Sequence, residues 1–128
     1  LKTIPLNETL KKLELSYIAL EEDYKEMFLD VACIMKGWRK DDAIKALECC
    51  GFHARNGLRV LEQKSLITSY YDIFDKYKYV GMHDHLEEMG RNIVRRSHPD
   101  NPHKHTRLWI YEEIKNVLAN DLVRIDFY

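Results

Sequence analysis

Between residues 66 and 82 the hydrophobic period of the chain changes. LITSYY and YKYVGM are rich in β-branched and aromatic residues and flank a polar turn at Asp72–Lys76. That pattern predicts an antiparallel hairpin. Ile73 and Phe74 fall at its tip. Two apolar residues there either fold back or form a contact surface. On both sides of the hairpin the period is helical.

The first helical stretch is NETLKKLELSYIAL, with Leu6, Leu10, Leu13, Tyr17 and Leu20 in phase and Asn7 suited to the N-cap. The second is EEDYKEMFLDVACIM. Tyr24, Met27, Phe28, Val31, Ala32 and Met35 form a stripe, and Leu29, Cys33 and Ile34 are apolar on the other faces. A helix apolar nearly all round is central and buried. Gly37 can close it. Asp30 lies inside this run, where pairing with a cation or a backbone donor is the expected role. The third, DDAIKALECCG, has Asp41 or Asp42 as cap, Ala43, Ile44 and Leu47 inward, and Gly51 at the left-handed C-terminal position. The fourth, HARNGLRVLEQKSL, aligns Ala54, Leu58 and Leu61.

After the hairpin, Leu86, Met89, Gly90, Ile93 and Val94 give a further amphipathic stripe. Pro99 and Pro102 mark a loop, and YEEIKNVLAND predicts a last helix with Tyr111, Ile114, Val117 and Leu118 inward and Trp109 just before it. Helices, a hairpin and another helix describe a winged helix: mainly α with a short β-hairpin, of the helix-turn-helix type. The domain is expected over residues 1–120, with 121–128 as an unassigned tail.

Composition fits one soluble, globular domain. Of the 128 residues, 45% are hydrophobic and 32% charged. No apolar run approaches the roughly 18–20 residues of a membrane span. The start, LKTIPLNETL, lacks the features of a signal peptide and an initiator Met, which suggests a piece of a longer protein. Basic and acidic residues nearly balance, 20 against 21, which argues against a non-specific nucleic-acid binder. Cys33, Cys49 and Cys50 are an odd set with two adjacent, read as reduced core thiols of a cytosolic or nuclear protein.

At the end of the hairpin stands GMHDHLEEMGRNIV, which places His83 and Asp84 at a strand-to-helix junction. Asp84 with Glu87 three residues later approximates a capping box. His83 then precedes a helix N-terminus, whose partial positive charge favours an anion and disfavours a protonated ring. A neutral imidazole still donates one N–H to a phosphate oxygen. Taken on the residues alone, His83 is an ordinary junction histidine more readily than a ligand.

Five ordered blocks carry a resemblance: LELSYIAL, FLDVACIMKGW, CGFHARNGLRVLEQKSLI, GMHDHLEEMGRNIV and TRLW. They resemble the winged-helix part, or second ARC segment, of plant nucleotide-binding leucine-rich-repeat (NLR) immune receptors of the TIR-bearing branch. Met82, His83 and Asp84 match that family's Met-His-Asp motif. The resemblance implies that this motif faces ADP, with the histidine near the β-phosphate. It also implies that exchange for ATP rotates the domain and lets receptors oligomerise. ADP/ATP would be bound only in the full receptor, with Met82, His83 and Asp84 as the contacting residues. Implied partners are the neighbouring nucleotide-binding and helical domains, the leucine-rich repeats and other protomers, in the cytoplasm or the nucleus and without a membrane. The chain departs from the pattern at His85, where leucine is usual, and its hairpin is long. No GxxxxGK[ST] occurs; the glycines stand scattered at 37, 51, 57, 81 and 90. The chain alone is therefore expected neither to hydrolyse ATP nor to hold ADP tightly.

Other readings carry less. A recognition helix would offer Arg55, Asn56, Arg59 and Lys64, with Arg91, Arg95, Arg96, Lys104 and Arg107 nearby, but solvated faces and ion pairs are the usual fate of such charges. His98, His103 and His105 share a loop without the spacing of a zinc site, so no metal is expected. His83 beside Asp84 in sequence is not by itself an acid–base pair, and no catalytic residue is assigned. Tyr70, Tyr71, Phe74, Tyr77 and Tyr79 could touch a neighbour, but most of these rings are expected to pack on the domain itself.

Overall fold

The computed structural model describes residues 6–97. Helix α1 (Leu6–Ile18) leads to α2 (Glu22–Asp30), which continues as a π-helical segment (Val31–Met35). Helices α3 (Lys40–Cys49) and α4 (Ala54–Gln63) follow, then β1 (Thr68–Tyr71), β2 (Lys78–Gly81) and α5 (Asp84–Ser97). The two strands form one antiparallel hairpin with Thr68 opposite Gly81 and Tyr70 opposite Tyr79. This is the winged helix that the change of period predicts. The expected last helix, the loop with His98, His103 and His105, and the 121–128 tail lie outside the described residues.

The core forms around α2, as its all-round apolarity requires. Met27, Phe28, Val31, Ala32 and Met35 are fully buried. They meet Ala43, Ile44, Ala46 and Leu47 of α3, Ala54, Leu58 and Leu61 of α4, and Leu66, Val80, Met82 and Leu86 from around the hairpin. Each large side chain taken fully out of water stabilises the fold by roughly 1.5–3 kcal/mol. Asp30 is buried at 4% exposure and is engaged by neighbouring groups.

The second helical stretch was expected to run through Met35 as α-helix, but its last turn widens. The Lys36 N–H donates to the Val31 carbonyl at 3.0 Å, a five-residue step. Cross-links beyond the helix hold this widened turn. The Gly37 N–H donates to the Val80 carbonyl at 2.8 Å, and the Val80 N–H to the Trp38 carbonyl at 2.9 Å. The chain thus leaves the helix alongside β2, with Arg39 bridged to Tyr79. Gly37 makes the turn with φ +89°, a conformation cheap only for glycine.

Several local expectations are corrected. Asn7 lies within helix α1 rather than at its cap. Asp41 and Asp42 lie in the first turn of α3: Arg39 precedes it and makes no side-chain cap bond. The two carboxylates still favour the positive end of the helix. Cys49 is exposed and Cys33 and Cys50 only partly buried, so these free thiols are not core residues as a set. The hairpin rings do not pack inward as expected. Tyr70, Tyr71, Phe74 and Tyr77 are exposed, and all four residues of β1 face solvent among the described residues. Tyr70 instead stacks on Tyr79 at 5.5 Å, and the Arg39 guanidinium sits 4.0 Å over Tyr77.

Candidate functional site

Strand β2 ends at Gly81 and α5 begins at Asp84, leaving Met82 and His83 as the joint. Met82 points inward at 6% exposure and joins the core beside Leu86. This buried anchor fixes the joint from below.

His83 opens the helix. Its carbonyl accepts the Glu87 N–H at 3.0 Å, and its imidazole Nδ1 accepts the His85 N–H at 3.1 Å. A side chain that satisfies the second N–H of a helix is the N-cap. The cap is therefore His83, not Asp84. Asp84 is the first helical residue, and its Oδ1 accepts from Lys36 Nζ at 2.7 Å. Glu87, expected to complete a capping box, lies 3.6 Å from the same ammonium and 3.7 Å from Arg91. Lys36 draws both carboxylates away from the backbone they were expected to cap.

The hydrogen bond from Lys36, and then its charge, hold the Asp84 carboxyl below the usual carboxylate range. The same hydrogen bond is the main cause that raises the Lys36 ammonium. Both groups are charged at neutral pH. A depressed acid favours folding above its ordinary pKa, and the contribution is lost only as the pH falls through the lower folded value.

An Nδ1 that accepts leaves the one N–H of a neutral ring at Nε2. His83 is exposed, so this donor is available beside a helix N-terminus. Its ring stacks on His85 with centroids 5.1 Å apart and planes at 18°. His85 also borders an open groove of about 510 Å³ lined by Leu10, Glu14, Met89 and Arg95.

Met82, His83 and Asp84 are thus adjacent but diverge: inward, outward and sideways. His83 and Asp84 are not an acid–base pair, since each holds another partner. Lys36, His85 and Arg91 complete the site and were not expected. Lys36 stands 48 residues from Asp84, so no local pattern links them. The hint for His85 was its departure from the family motif. Arg91 Nε donates to the Ala32 carbonyl at 3.3 Å, a group that the widened π turn leaves exposed to a new donor.

Arg55, Asn56 and Arg59 are exposed on α4, and Lys64 is exposed just after it. Asn56 donates to the Tyr24 hydroxyl at 3.0 Å. Arg95 and Arg96 are tied to Asn92. Lys104 and Arg107 lie outside the described residues. Among the described residues no group of His, Cys, Asp and Glu is placed to hold a metal, and no helix is long and apolar enough to cross a membrane.

The family model for the winged-helix domain of Roq1-like disease resistance proteins matches residues 21–98. The chain belongs to this family. It is 38% identical over 112 residues to TMV resistance protein N of Nicotiana glutinosa, covering 88% of this chain and 9% of that protein. It is 43% identical over 105 residues to disease resistance protein RUN1 of Vitis rotundifolia, covering 82% and 7%. With RPP2B of Arabidopsis thaliana it shares 32% over 121 residues, covering 94% and 10%. The resemblance to TIR-type NLR proteins is borne out, and the domain spans about a tenth or less of such relatives. Among solved structures, Staphylococcus aureus MepR in its DNA-binding conformation superposes with a TM-score of 0.52 at 21% identity, covering 93% of this chain and 91% of that one. The likeness shows the fold.

Proposed function

We propose that this domain is the conformational switch part of a plant intracellular immune receptor. It reports ADP or ATP state through Met82, His83 and Asp84, and passes that state on as domain rotation and oligomerisation. The observation that supports the reading most is the His83 cap. With Nδ1 used inside the domain, Nε2–H is the ring's outward donor, beside the positive end of α5. That arrangement suits a phosphate oxygen. Met82 would seat the joint, and Asp84 would hold the helix start through Lys36.

The rest of the nucleotide would be held by the neighbouring nucleotide-binding and helical domains. The leucine-rich repeats and other protomers would be further partners, in the cytoplasm with the nucleus as a second compartment. The domain itself would be no enzyme. The test is His83→Ala in the full-length receptor. ADP carried through purification should fall and basal defence signalling should rise. Wild-type behaviour in both measurements would sink the reading.

A second reading has its own observation. With Lys64 at its C-terminal end, Arg55 and Arg59 stand exposed on α4, the helix that winged-helix regulators lay in the major groove. MepR, of the same fold, has a DNA-binding conformation. A gel shift of this chain on duplex DNA that weakens with salt would favour DNA binding; no shift at low salt would remove it.

A further inference from the structure

We infer that Lys36 is the positioning residue for His83: by gripping Asp84 and Glu87 it sets where α5 starts and so where the His83 Nε2–H points. The inference rests on the reading of His83 as a phosphate contact and names the side chain that aims it.

The backbone of Lys36 is immobilised from two sides. Its own N–H donates to the Val31 carbonyl of the π segment at 3.0 Å, and the next N–H, of Gly37, donates to the Val80 carbonyl of β2 at 2.8 Å. From this fixed base the ammonium reaches Asp84 Oδ1 at 2.7 Å and Glu87 Oε1 at 3.6 Å. Those two residues bracket the element that holds the ring. Asp84 follows His83 directly. Glu87 gives its N–H to the His83 carbonyl, and between them His85 gives its N–H to His83 Nδ1. One cation thus spans the first turn, in which His83 bonds to Glu87 and His85.

The pair is poorly placed to stabilise the fold. The Asp84 side chain is 91% exposed, and exposed ion pairs contribute little to stability. Geometry is what it controls. Lower down, Arg91 donates to the Ala32 carbonyl at 3.3 Å, and a Cβ on Gly90 would lie 2.5 Å from the Ala32 Cβ. The π segment and the residue after it therefore hold α5 at two heights. Single π turns inside α-helices are frequent at functional sites. Here the π turn makes the end of α2 and the start of α5 one body, so a displacement of either reaches His83.

The experiment uses the full-length receptor with Lys36→Met, Lys36→Arg, Asp84→Asn, the Lys36→Met/Asp84→Asn double variant and His83→Ala. Three quantities are read: ADP retained through purification and, both in nucleotide-free protein because bound ADP itself raises the melting point, amide hydrogen exchange over residues 83–88 and melting temperature. Lys36→Met should lower ADP retention about 3-fold, the scale of an exposed ion pair. It should also speed exchange in the first turn of α5 and leave the melting temperature unchanged. Lys36→Arg should restore the first two. The double variant should lose no more than the worse single one, since both break one contact. Normal retention and exchange in Lys36→Met beside a loss in His83→Ala would overturn the inference alone. So would additive losses in the double variant, or a fall in melting temperature in step with the ADP loss. Full retention of ADP by His83→Ala would instead remove the phosphate reading, and the inference with it.

Discussion

The domain shows two exposed turns, and they are held in opposite ways. At the hairpin tip Ile73 is 72% and Phe74 91% exposed. The hydrogen bonds of the turn are local: Asp72 accepts the Phe74 N–H at 2.7 Å, Asp75 accepts the Tyr77 N–H at 2.9 Å, and the Tyr79 hydroxyl donates to Asp75, while Arg39 reaches the base of the turn at Tyr77 and Tyr79 but not its tip. At the joint before α5 His83 is also exposed, but its neighbours reach deep. Met82 and Leu86 lie in the core on either side of it, and Lys36 reaches across from the end of α2. Exposure alone therefore does not tell how firmly a side chain is placed. An exposed group on a joint that distant elements hold is preorganised. An exposed group held only by its own turn presents a surface.

The largest way to break this contrast is to remove the anchor beneath the joint. Leu86 is 2% exposed and lies three residues after His83. Leu86→Ala should destabilise the domain by about 2–5 kcal/mol, the range for truncating a buried leucine. Chemical denaturation measures it. A cost below about 1 kcal/mol would mean that the α5 start is not anchored in the core as described.

A smaller and more pointed change is Gly90→Ala. The added Cβ would sit 2.5 Å from the Ala32 Cβ and 3.3 Å from Phe28. Neither is the end of a flexible chain, so α5 must move off the π segment. Overpacking of this kind costs about 1–3 kcal/mol, although alanine is intrinsically the better helix former by about 1 kcal/mol. Net destabilisation is expected in the same denaturation measurement. Net stabilisation would show that α5 does not pack as tightly on Ala32 as the structure has it.

The contrast also explains what could be read from the sequence. The hairpin was legible because its alternation is local, and the core stripes of α2, α4 and α5 because helical periodicity is local too. Family membership was legible through the five ordered blocks, and the role of Met82, His83 and Asp84 remains a proposal. What each of them bonds to was not legible. The capping-box pattern pointed to Asp84 and Glu87, but both carboxylates turn to Lys36, and the cap passed to an imidazole one residue earlier. A pattern four residues wide cannot register a competitor 48 positions away. The π turn escaped for the same reason: Val31, Ala32 and Met35 keep an apolar helical spacing, while the bonds that accompany the widening come from β2 and Arg91. The exposure of the tyrosines was missed because aromatic content marks a strand without saying whether a layer covers it.

The smallest effect belongs to the other turn. Phe74→Ser removes the most exposed of the large apolar side chains among the described residues and touches no contact of the core cluster. Its backbone N–H donates to Asp72, and serine keeps that donor. Folding stability should stay within about 0.5 kcal/mol, as for surface changes away from packing features. Its effect should appear between molecules instead. A ring bare on a turn adds apolar surface that favours association, so light scattering of the chain at high concentration should decrease with serine in its place. A clear loss of stability would show that the ring folds back onto the domain, and the two turns would then differ in degree and not in kind.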